Sequence, residues 1–502
     1  MAIIGCVGRR VWRRCVCVVA AVLALAACTV EGEPSRLPLV EHPRVDVPSR
    51  GDERAVVAAL RLIDACALLD ARAAGFPAGS RPVALGPHRC ELAAPDGARV
   101  SVRLGIWFPA RDRLGDFYPR TLGGAKAYVE RWGNDPRSMC FLHLPVSRSL
   151  SVRFIALAGA TPTTRDLCAV AAASASEAAL RLARPETLRP GASAPMASWD
   201  PCAALGAALD DPYGYHLDHE SMGDYGIDGC FADPVRPPTG EAIRLRFAYG
   251  RVQTGGVPKR IAGRPTMVSD APEVCTVRWS NGPAGPEAEQ LLELSAPDCP
   301  RAEQLMTAVL RAPTTGSPVV PRHGLLYRPD EPDLPVAGAC GYYAADPARC
   351  QPYAAMAVPG QKADLVRAAT VDAHVNCAFA VDAVRQRAGG TLRPVVDDAV
   401  GCVFVEPTRT ARVTVRLAPG RVRAEPTATR TTMAGLPVRV VESVESPWHV
   451  RRLDVALPYG GTLSVTAHAS ARTGSTRDAP IDPAQFDVAD AVAEQITTTH
   501  LS

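Results

Sequence analysis

The chain contains few lysines and no strong excess of charge. Only three of its 502 residues are lysine, so almost every cationic side chain is an arginine. The formal net charge is +3, and four arginines fall within the first 14 residues, which leaves about −1 (3 − 4) for the rest. Proteins that bind nucleic acids carry a basic surface. The near-neutral charge therefore argues against a nucleic-acid partner.

The chain also lacks the short motifs of several large enzyme classes. It has no Gly-x-Ser-x-Gly turn and no Ser-x-x-Lys, which are nucleophile motifs of α/β-hydrolases and penicillin-binding enzymes. It has no Gly-x-x-x-x-Gly-Lys-(Ser/Thr) loop for phosphate and no His-Glu-x-x-His for zinc. Because these motifs are absent, the sequence predicts no catalytic residue and no cofactor.

Long apolar runs are missing after Cys28, so no membrane-spanning helix is expected beyond that residue. Before it, four arginines precede a wholly apolar stretch at 15–27, which is too short to span a bilayer as a helix. A basic start, a short apolar segment and small residues at the cleavage site are typical of a secretory signal. We therefore expect a signal peptide over 1–27.

The end of that segment, Leu25-Ala-Ala-Cys28, resembles a bacterial lipobox. The resemblance implies that Cys28 receives a diacylglyceryl group and becomes the mature N-terminus. We therefore expect the protein on the extracytoplasmic face of the cell membrane, with the membrane as a partner through this lipid anchor.

Twelve further cysteines form three groups of four along the chain. Export places them in an oxidising compartment, where disulfides persist. In the first two groups, the first Cys lies on a helix-like stretch, the second and third on strands, and the fourth at the start of a helix. The groups are Cys66, Cys90, Cys140, Cys168; Cys202, Cys230, Cys275, Cys299; and Cys340, Cys350, Cys377, Cys402.

The third group matches the others only when it is counted from Cys377. The gap from Cys377 to Cys402 is 25 residues, against 24 and 28 in the first two groups. A strand with alternating apolar residues follows each second cysteine. Aligning the later strands sets Leu453 at the position of Cys140. The third repeat would then lack its last two cysteines.

This comparison predicts how the cysteines pair, since joint loss of the third and fourth is expected if they bond to each other. The two cysteines of the insertion, Cys340 and Cys350, would close a short loop. No Cys-x-x-Cys occurs among these residues, which argues against a zinc site. The predicted disulfides are Cys66–Cys90, Cys140–Cys168, Cys202–Cys230, Cys275–Cys299, Cys340–Cys350 and Cys377–Cys402.

Helices flanking runs of strands predict an α+β fold in which each module is an antiparallel sheet covered by helices. We expect a Pro-rich tether over 28–52. The modules span 53–187, 197–312 and 336–502, the last with the Cys340–Cys350 insertion. Module one is expected to contain an extra helix at about 123–132, and a helix from Asp482 to Leu501 should close module three.

Two of these segments carry a family resemblance. Asp64-Ala-Cys66-Ala-Leu-Leu and Asp200-Pro-Cys202-Ala-Ala-Leu resemble the Asp-Pro-Cys opening of small actinobacterial lipoproteins of unknown function. They are also similar to two-disulfide extracellular sensor domains of actinobacterial receptor kinases. The resemblance implies α+β modules, some of them with a Mog1/PsbP-like sheet between helices, and implies no activity. Module three departs from it, with Val375-Asn-Cys377.

One polar segment before Cys230 offers candidate metal ligands. His216 and His219 lie three residues apart with Asp218, Glu220, Asp224 and Asp228 nearby, a set that can hold a divalent ion. A solvated, disulfide-closed loop is the alternative, and we favour it, so no metal site is predicted.

Other chemically suggestive residues fit structural roles. His143 lies between apolar strand residues and is expected to be structural. Asp397 and Asp398 are adjacent on a strand and would point to opposite faces. An arginine recurs at the same position of the strand that follows the second cysteine of each repeat. These side chains could face an anionic ligand or solvent; they are Arg103, Arg246 and Arg416. Trp107 is expected on the same face as Arg103.

These observations favour a lipid-anchored binding or sensor-type protein of the cell envelope, with an unidentified envelope ligand or protein partner. A secreted hydrolase or metal-dependent enzyme is one alternative, and a purely architectural envelope protein is another. The binding hypothesis requires an exposed apolar or basic concavity, while the enzyme hypothesis requires convergent carboxylates or histidines in a cleft.

Overall fold

The structure, a computed structural model, describes most of the chain beyond residue 52. The described residues are 53–116, 119–131, 139–159, 165–184, 195–210, 214–220, 225–235, 242–251, 255–285, 288–311, 325–334, 338–343, 349–407, 411–420, 428–445, 448–469 and 484–501. The predicted signal peptide, the tether and Cys28 lie outside them. Among the described residues, no helix is long and apolar enough to cross a membrane.

The described residues of module one form three helices and seven strands. Its helices are α1 (Glu53–Leu60), α2 (Ala110–Asp116) and α3 (Leu167–Leu182), with a short 3₁₀ helix at Ala65–Leu68. Its strands are β1 (Val83–Gly86), β2 (Arg89–Ala93), β3 (Arg99–Trp107), β4 (Pro119–Leu122), β5 (Ala125–Arg131), β6 (Met139–Pro145) and β7 (Leu150–Leu157).

Module two contains two helices and seven strands among its described residues. Its helices are α4 (Pro201–Ala208) and α5 (Cys299–Val309), preceded by a 3₁₀ turn at Pro195–Ser198. Its strands are β8 (Tyr215–Glu220), β9 (Gly226–Pro234), β10 (Ile243–Gly250), β11 (Val257–Ile261), β12 (Arg264–Ala271), β13 (Val274–Pro283) and β14 (Glu289–Ala296).

Module three contains three described helices and eight strands. Its helices are α6 (Lys362–Val371), α7 (His374–Ala388) and α8 (Ala484–Ile496), which ends in a π-type turn at Thr497–Leu501. The insertion forms a 3₁₀ helix at Gly338–Tyr342. The strands are β15 (Cys350–Pro352), β16 (Arg393–Asp397), β17 (Gly401–Val405), β18 (Ala411–Ala418), β19 (Thr429–Met433), β20 (Leu436–Glu445), β21 (Trp448–Ala456) and β22 (Thr462–Ala469).

The strands form three antiparallel sheets that share one strand order. In the first sheet the order is β1-β2-β3-β7-β6-β5-β4, and the second and third sheets repeat it as β8-β9-β10-β14-β13-β12-β11 and β16-β17-β18-β22-β21-β20-β19. In the third, β15 from the insertion adds an edge strand beside β16. The predicted α+β fold with three modules of sheet and helices is confirmed at this level.

Each sheet buries one face against its own helices. Alternating residues such as Val100, Val102 and Leu104 of β3 join α3 in the core of module one. Equivalent alternation in β10 and β18 builds the cores of modules two and three. The opposite face of each sheet, away from this core, is called the outer face below. In module three the insertion packs a small apolar cluster against part of it.

Six disulfides join the cysteine pairs that the sequence comparison predicts. In modules one and two, one bridge ties an early helix to the second strand and the other ties the sixth strand to the last helix. Each bridge that closes a loop of about 25 residues stabilises the fold by roughly 3 kcal/mol, because it lowers the entropy of the unfolded chain. The bonds are Cys66–Cys90, Cys140–Cys168, Cys202–Cys230, Cys275–Cys299, Cys340–Cys350 and Cys377–Cys402.

The Asp-x-Cys motif has a local physical explanation. At Asp200 the carboxylate accepts hydrogen bonds from the backbone N–H groups of Cys202 and Ala203 at 2.9 and 3.0 Å, which caps α4. Such a cap satisfies N–H groups that have no partner within the helix. It also holds the cysteine in the first turn, opposite its partner strand. Asp64 and Asp166 cap their helices in the same way.

The helix expected at about 123–132 is instead a strand, so that prediction was wrong. Gly123 and Gly124 both have positive φ and form a tight turn between β4 and β5. Two-residue turns with positive φ at both positions connect hairpin strands. Ala262-Gly263 and Ala434-Gly435 form the matching turns of the other two modules, also with positive φ.

The strand register corrects the alignment of Leu453 by two residues. Cys90 pairs across the first sheet with Val102, then Phe154, then Leu142. In the third sheet Cys402 leads in the same way to Val415, Val465 and Leu453. Leu453 therefore matches Leu142, and Arg451 matches Cys140. A slip of two residues keeps every side chain on its face, so the alternating pattern alone could not detect it.

A bulge in β3 changes which side chains face the core. The pairing with β7 shifts by one residue between Arg103 and Ile106, and Gly105 at the bulge has a φ of +66°. One extra residue moves the following side chains to the opposite face. Trp107 therefore packs against the core, and the expectation that it shares the face of Arg103 was wrong.

Candidate functional site

The segment with candidate metal ligands is a strand rather than a loop. Residues 215–220 form β8 at the edge of the second sheet, paired with β9, so the expected loop is corrected. His216 is exposed, and the side chains of His219 and Glu220 lie outside the described part of the chain. Asp228 is buried and bonded to His88. The described side chains of this segment are therefore not gathered into a metal site.

Within the described residues, one group of potential ligand atoms meets the distance expected for a metal. It consists of Asp270 with Cys275 and Cys299. Those two cysteines form a disulfide, and a disulfide lacks the thiolate that binds a metal. The group is therefore explained by the disulfide.

The remaining candidates also have structural partners. The ring of His143 is buried, stacks on Phe108 at 4.1 Å, and has Nδ1 3.0 Å from the hydroxyl of Ser151. Asp397 is buried and accepts a hydrogen bond from Tyr343, while the adjacent Asp398 is exposed. The two carboxylates do not act as a pair.

The repeated arginines do occupy one equivalent position on the outer faces. Arg103 pairs with Arg153, Arg246 with Glu293 and Arg416 with Ser464 in the strand register. Their neighbours differ in charge from sheet to sheet. The three positions therefore do not form one common binding site.

Modules one and two meet through a buried contact between a histidine and an aspartate that the sequence did not reveal. The Nδ1 atom of His88 lies 2.6 Å from an Asp228 oxygen, and the other oxygen accepts the His88 backbone N–H at 3.1 Å. Ile227, beside Asp228, enters the apolar core of module one. A Cβ added at Gly105 would collide with Ile227. The bulge glycine thus makes room for the second module.

A second buried network joins module one to the segment that leads to module three. Asp333 accepts hydrogen bonds from Tyr128 at 2.5 Å and from Lys126 at 3.3 Å, and Arg113 lies 3.6 Å from its other oxygen. Burial lowers the pKa of Lys126, and the charge of Asp333 acts in the opposite direction. Leu325, in the same segment, completes the core of module one.

These two networks are closed to ligands. The side chains of His88, Asp228, Arg113, Lys126 and Asp333 are each about 1% exposed or less. Breaking a buried pair leaves an uncompensated charge, which costs roughly 3–5 kcal/mol. Their role is to hold the segments of the chain together.

A groove in module three has a volume of about 1130 Å³. It lies at the end of the third sheet, where strand ends and the β21–β22 turn meet α6. We call it the α6 groove. Its lining is Ala363, Val366, Arg367, Thr370, Val371, Pro419, Gly420, Arg430, Thr431, Leu436, Pro437, Val438, Arg439, Asp454, Ala456, Leu457, Pro458, Tyr459, Gly460, Gly461 and Thr462.

The floor of the α6 groove is apolar. Val366, Val438 and Leu457 are buried beneath it, and Leu436 and Tyr459 are partly exposed to it. Burial raises the pKa of the Tyr459 hydroxyl, which donates a hydrogen bond to the carbonyl of Leu501 at 3.2 Å. At the rim, Val371 is 85% exposed. An apolar side chain so exposed beside an apolar floor suits contact with another apolar molecule.

The charges of the α6 groove are mostly positive. Three arginines line it: Arg367 and Arg430 are exposed and Arg439 is partly buried. Its carboxylate, Asp454, is buried and accepts a hydrogen bond from Ser464 at 2.7 Å and from Arg452 at 3.3 Å. Arg367 lies 3.3 Å from Asp364 on the same helix. The exposed rim is therefore basic.

Sequence reasoning missed the groove because its parts come from distant segments. The helix α6 and the β19–β20 hairpin are about 60 residues apart in the chain. One local signal was present: Ala262-Gly-Arg-Pro265 and Ala434-Gly-Leu-Pro437 repeat the same hairpin turn. Reading that repeat would have located the hairpin beside the groove.

Comparison of the chain with protein-family models, with curated proteins and with solved structures finds no match to any of the three.

Proposed function

We propose that this protein is a lipid-anchored binding protein of the cell envelope whose α6 groove binds an anionic amphiphile of the lipid class. The observation that carries the proposal is the combination of a groove of about 1130 Å³, an apolar floor and a rim of arginines. Small-molecule sites usually measure about 300–1,000 Å³ and are mainly apolar with a few polar groups. The α6 groove is large enough for an acyl chain with its head group.

The predicted location supports a lipid ligand. The Arg-rich start, the short apolar run and the Leu25–Cys28 box predict export and acylation at Cys28. Six disulfides suit an oxidising, extracytoplasmic compartment. The similarity to actinobacterial envelope lipoproteins and the Mog1/PsbP-like module belong to the same proposal. The antiparallel sheets flanked by helices support the Mog1/PsbP-like module.

Binding is favoured over hydrolysis by the chemistry of the groove. Its described lining contains no His, Cys or Glu, and Asp454 is engaged by Arg452 and Ser464. Hydrolysis needs a nucleophile or a water activated by a nearby base. The arginines instead supply cations that pair with a carboxylate or phosphate head group.

Titration with a fluorescent long-chain fatty acid tests the proposal. We expect saturable binding to the full chain, with displacement by unlabelled fatty acid and about tenfold weaker displacement by the uncharged alcohol of the same length. Val371→Asp and Arg430→Glu should each weaken binding several-fold, since both residues are exposed at the rim. Neither substitution touches the core.

Matched controls come from module two. Val257 is 61% exposed and Arg260 is also exposed, and both lie outside the groove. Val257→Asp and Arg260→Glu should leave binding unchanged. Absence of saturable binding would contradict the proposal and favour an architectural role. Equal loss in the groove variants and the control variants would show that the probe binds elsewhere.

The anchor is tested separately with Cys28→Ser. We expect this variant to lack covalent lipid and to leave the membrane fraction of the expressing host, because a diacylglyceryl group holds a protein at a bilayer stably. The measurement is mass spectrometry of the N-terminal peptide together with cell fractionation. An acylated Cys28→Ser protein would rule out the lipobox interpretation.

A further inference from the structure

A second, smaller cavity lies on the outer face of the third sheet. It has a volume of about 270 Å³ and sits between the insertion and the far strands of the sheet. We call it the outer-face cleft. Its lining is Tyr343, Val400, Arg412, Thr414, Val441, Ser443, Val450, Arg452, Thr466 and His468.

Strand register brings the polar residues of the cleft together. One cross-strand row runs from Arg412 to His468, Val450 and Ser443. The next row runs from Thr414 to Thr466, Arg452 and Val441. Neighbours in a row lie about 5 Å apart, and the rows are about 7 Å apart along the strands. The two arginines therefore stand diagonally across one small opening.

The cleft is lined by cations and hydroxyl groups, and none of its lining residues is acidic. Two carboxylates bond to residues at its border. Asp454 accepts from Arg452 at 3.3 Å and from Ser464, and Asp397 accepts from Tyr343 at 3.0 Å. Arg349 lies 3.8 Å from Asp397 on the outside.

At the centre of the cleft, Arg412 and His468 are in contact, and only Arg412 carries a positive charge. The Nη2 atom of Arg412 lies 2.9 and 3.2 Å from the two ring nitrogens of His468, so the guanidinium rests against the imidazole. Burial and this neighbouring cation hold the pKa of His468 down to about 3. At neutral pH the imidazole is uncharged, and Arg412 keeps its charge.

We propose that the outer-face cleft binds a single phosphate group, as inorganic phosphate or a small phosphate monoester, between Arg412 and Arg452. Two guanidinium groups and the hydroxyls of Thr414, Thr466 and Ser443 offer more donors than the two oxygens of a carboxylate accept. A tetrahedral phosphate presents oxygens in the directions of both strand rows. The cavity volume fits one phosphate group and is too small to enclose a polymer.

This site is independent of the proposed function. The α6 groove and the outer-face cleft share none of their lining residues. Phosphate should therefore bind without displacing the fatty-acid probe. Displacement of that probe by phosphate would overturn the assignment of two separate sites.

Calorimetric titration of the full chain with inorganic phosphate at pH 7 is the experiment. We expect one site, weakened at least about tenfold by Arg412→Gln and by Arg452→Gln, since each removes a charge-assisted donor. Arg416→Gln is the matched control: Arg416 lies on the same sheet face, bonds the carbonyl of Ala399 at 3.3 Å and does not line the cleft. It should retain full affinity.

Two further measurements test the site without relying on the fold of an arginine variant. Ser443→Ala with Thr466→Val keeps both charges and should weaken phosphate several-fold. Imidazole NMR should show the His468 pKa rising when phosphate binds, because an anion favours imidazolium. Absence of binding, equal loss in Arg416→Gln, equally tight binding of acetate, or an unchanged His468 pKa at saturation would each overturn the proposal.

Discussion

Arg451 and Asp490 join the third sheet to its last helix where the first two modules use a disulfide. Arg451 occupies the strand position of Cys140, and its Nη2 and Nε atoms lie 2.7 and 3.4 Å from the two oxygens of Asp490 on α8. Arg451 also bonds Glu442 on β20. A disulfide restricts the unfolded chain, whereas an ion pair acts only in the folded state. Module three therefore has a weaker link at this point.

A double-mutant cycle on Arg451→Gln and Asp490→Asn should measure that link. Both side chains are about one-quarter to one-third exposed, so solvent reduces the interaction, and we expect a coupling energy of about 0.5–1.5 kcal/mol. Denaturant unfolding of the four proteins gives the value. The same cycle on the more exposed pair Arg385 and Asp382 should give a value near zero. Equal coupling in both pairs would contradict the assigned role.

Leu453→Ala should destabilise module three by roughly 2–5 kcal/mol, through lost burial and a cavity. Leu453 is 1% exposed and lies in the same apolar core as Val492 and Ile496 of α8. Leu142→Ala, at the equivalent position of module one, should cost a similar amount. Hydrogen exchange resolved by module is the measurement. A Leu453→Ala protein with unchanged protection in module three would refute the register.

Ala434→Asn should stabilise the protein by about 0.5–1 kcal/mol. Ala434 has a φ of +49° in the hairpin turn before Gly435, a conformation that alanine adopts at a cost and asparagine tolerates. Ala262→Asn should act in the same direction in module two, where φ is +53°. Thermal unfolding gives the comparison. Ala271→Asn, at the exposed end of β12, is the control and should bring no gain.

Acid should destabilise module three through His468. Its folded pKa is about 3, below the ordinary value of 6.5, so folding favours the neutral ring. This contribution is complete above pH 6.5 and is lost as pH falls from 6.5 through 3. At pH 4.5 the loss is about 2–3 kcal/mol. Relative to the native chain, His468→Gln should flatten the pH dependence in urea unfolding, and His216→Gln, at an exposed position, should not.

Much of the fold followed from the sequence because its signals are local. Strand alternation after Cys90, Cys230 and Cys402 predicted the strands that build the three cores. Loss of two cysteines together predicted the disulfide pairing. The Asp before Cys202 marked a helix start, since a carboxylate there caps the first turn. These signals depend on residues close in the chain or on comparison between repeats.

Tertiary structure alone decided which distant residues meet. A two-residue slip in register leaves the face pattern unchanged, so the sequence could not distinguish Leu453 from Arg451 as the counterpart of Cys140. The bulge at Gly105 turned Trp107 toward the core, and it is explained by Ile227 of another module. Likewise the α6 groove and the outer-face cleft gather side chains from strands far apart in the chain. Local propensity carries no information about such contacts, because packing between segments creates them.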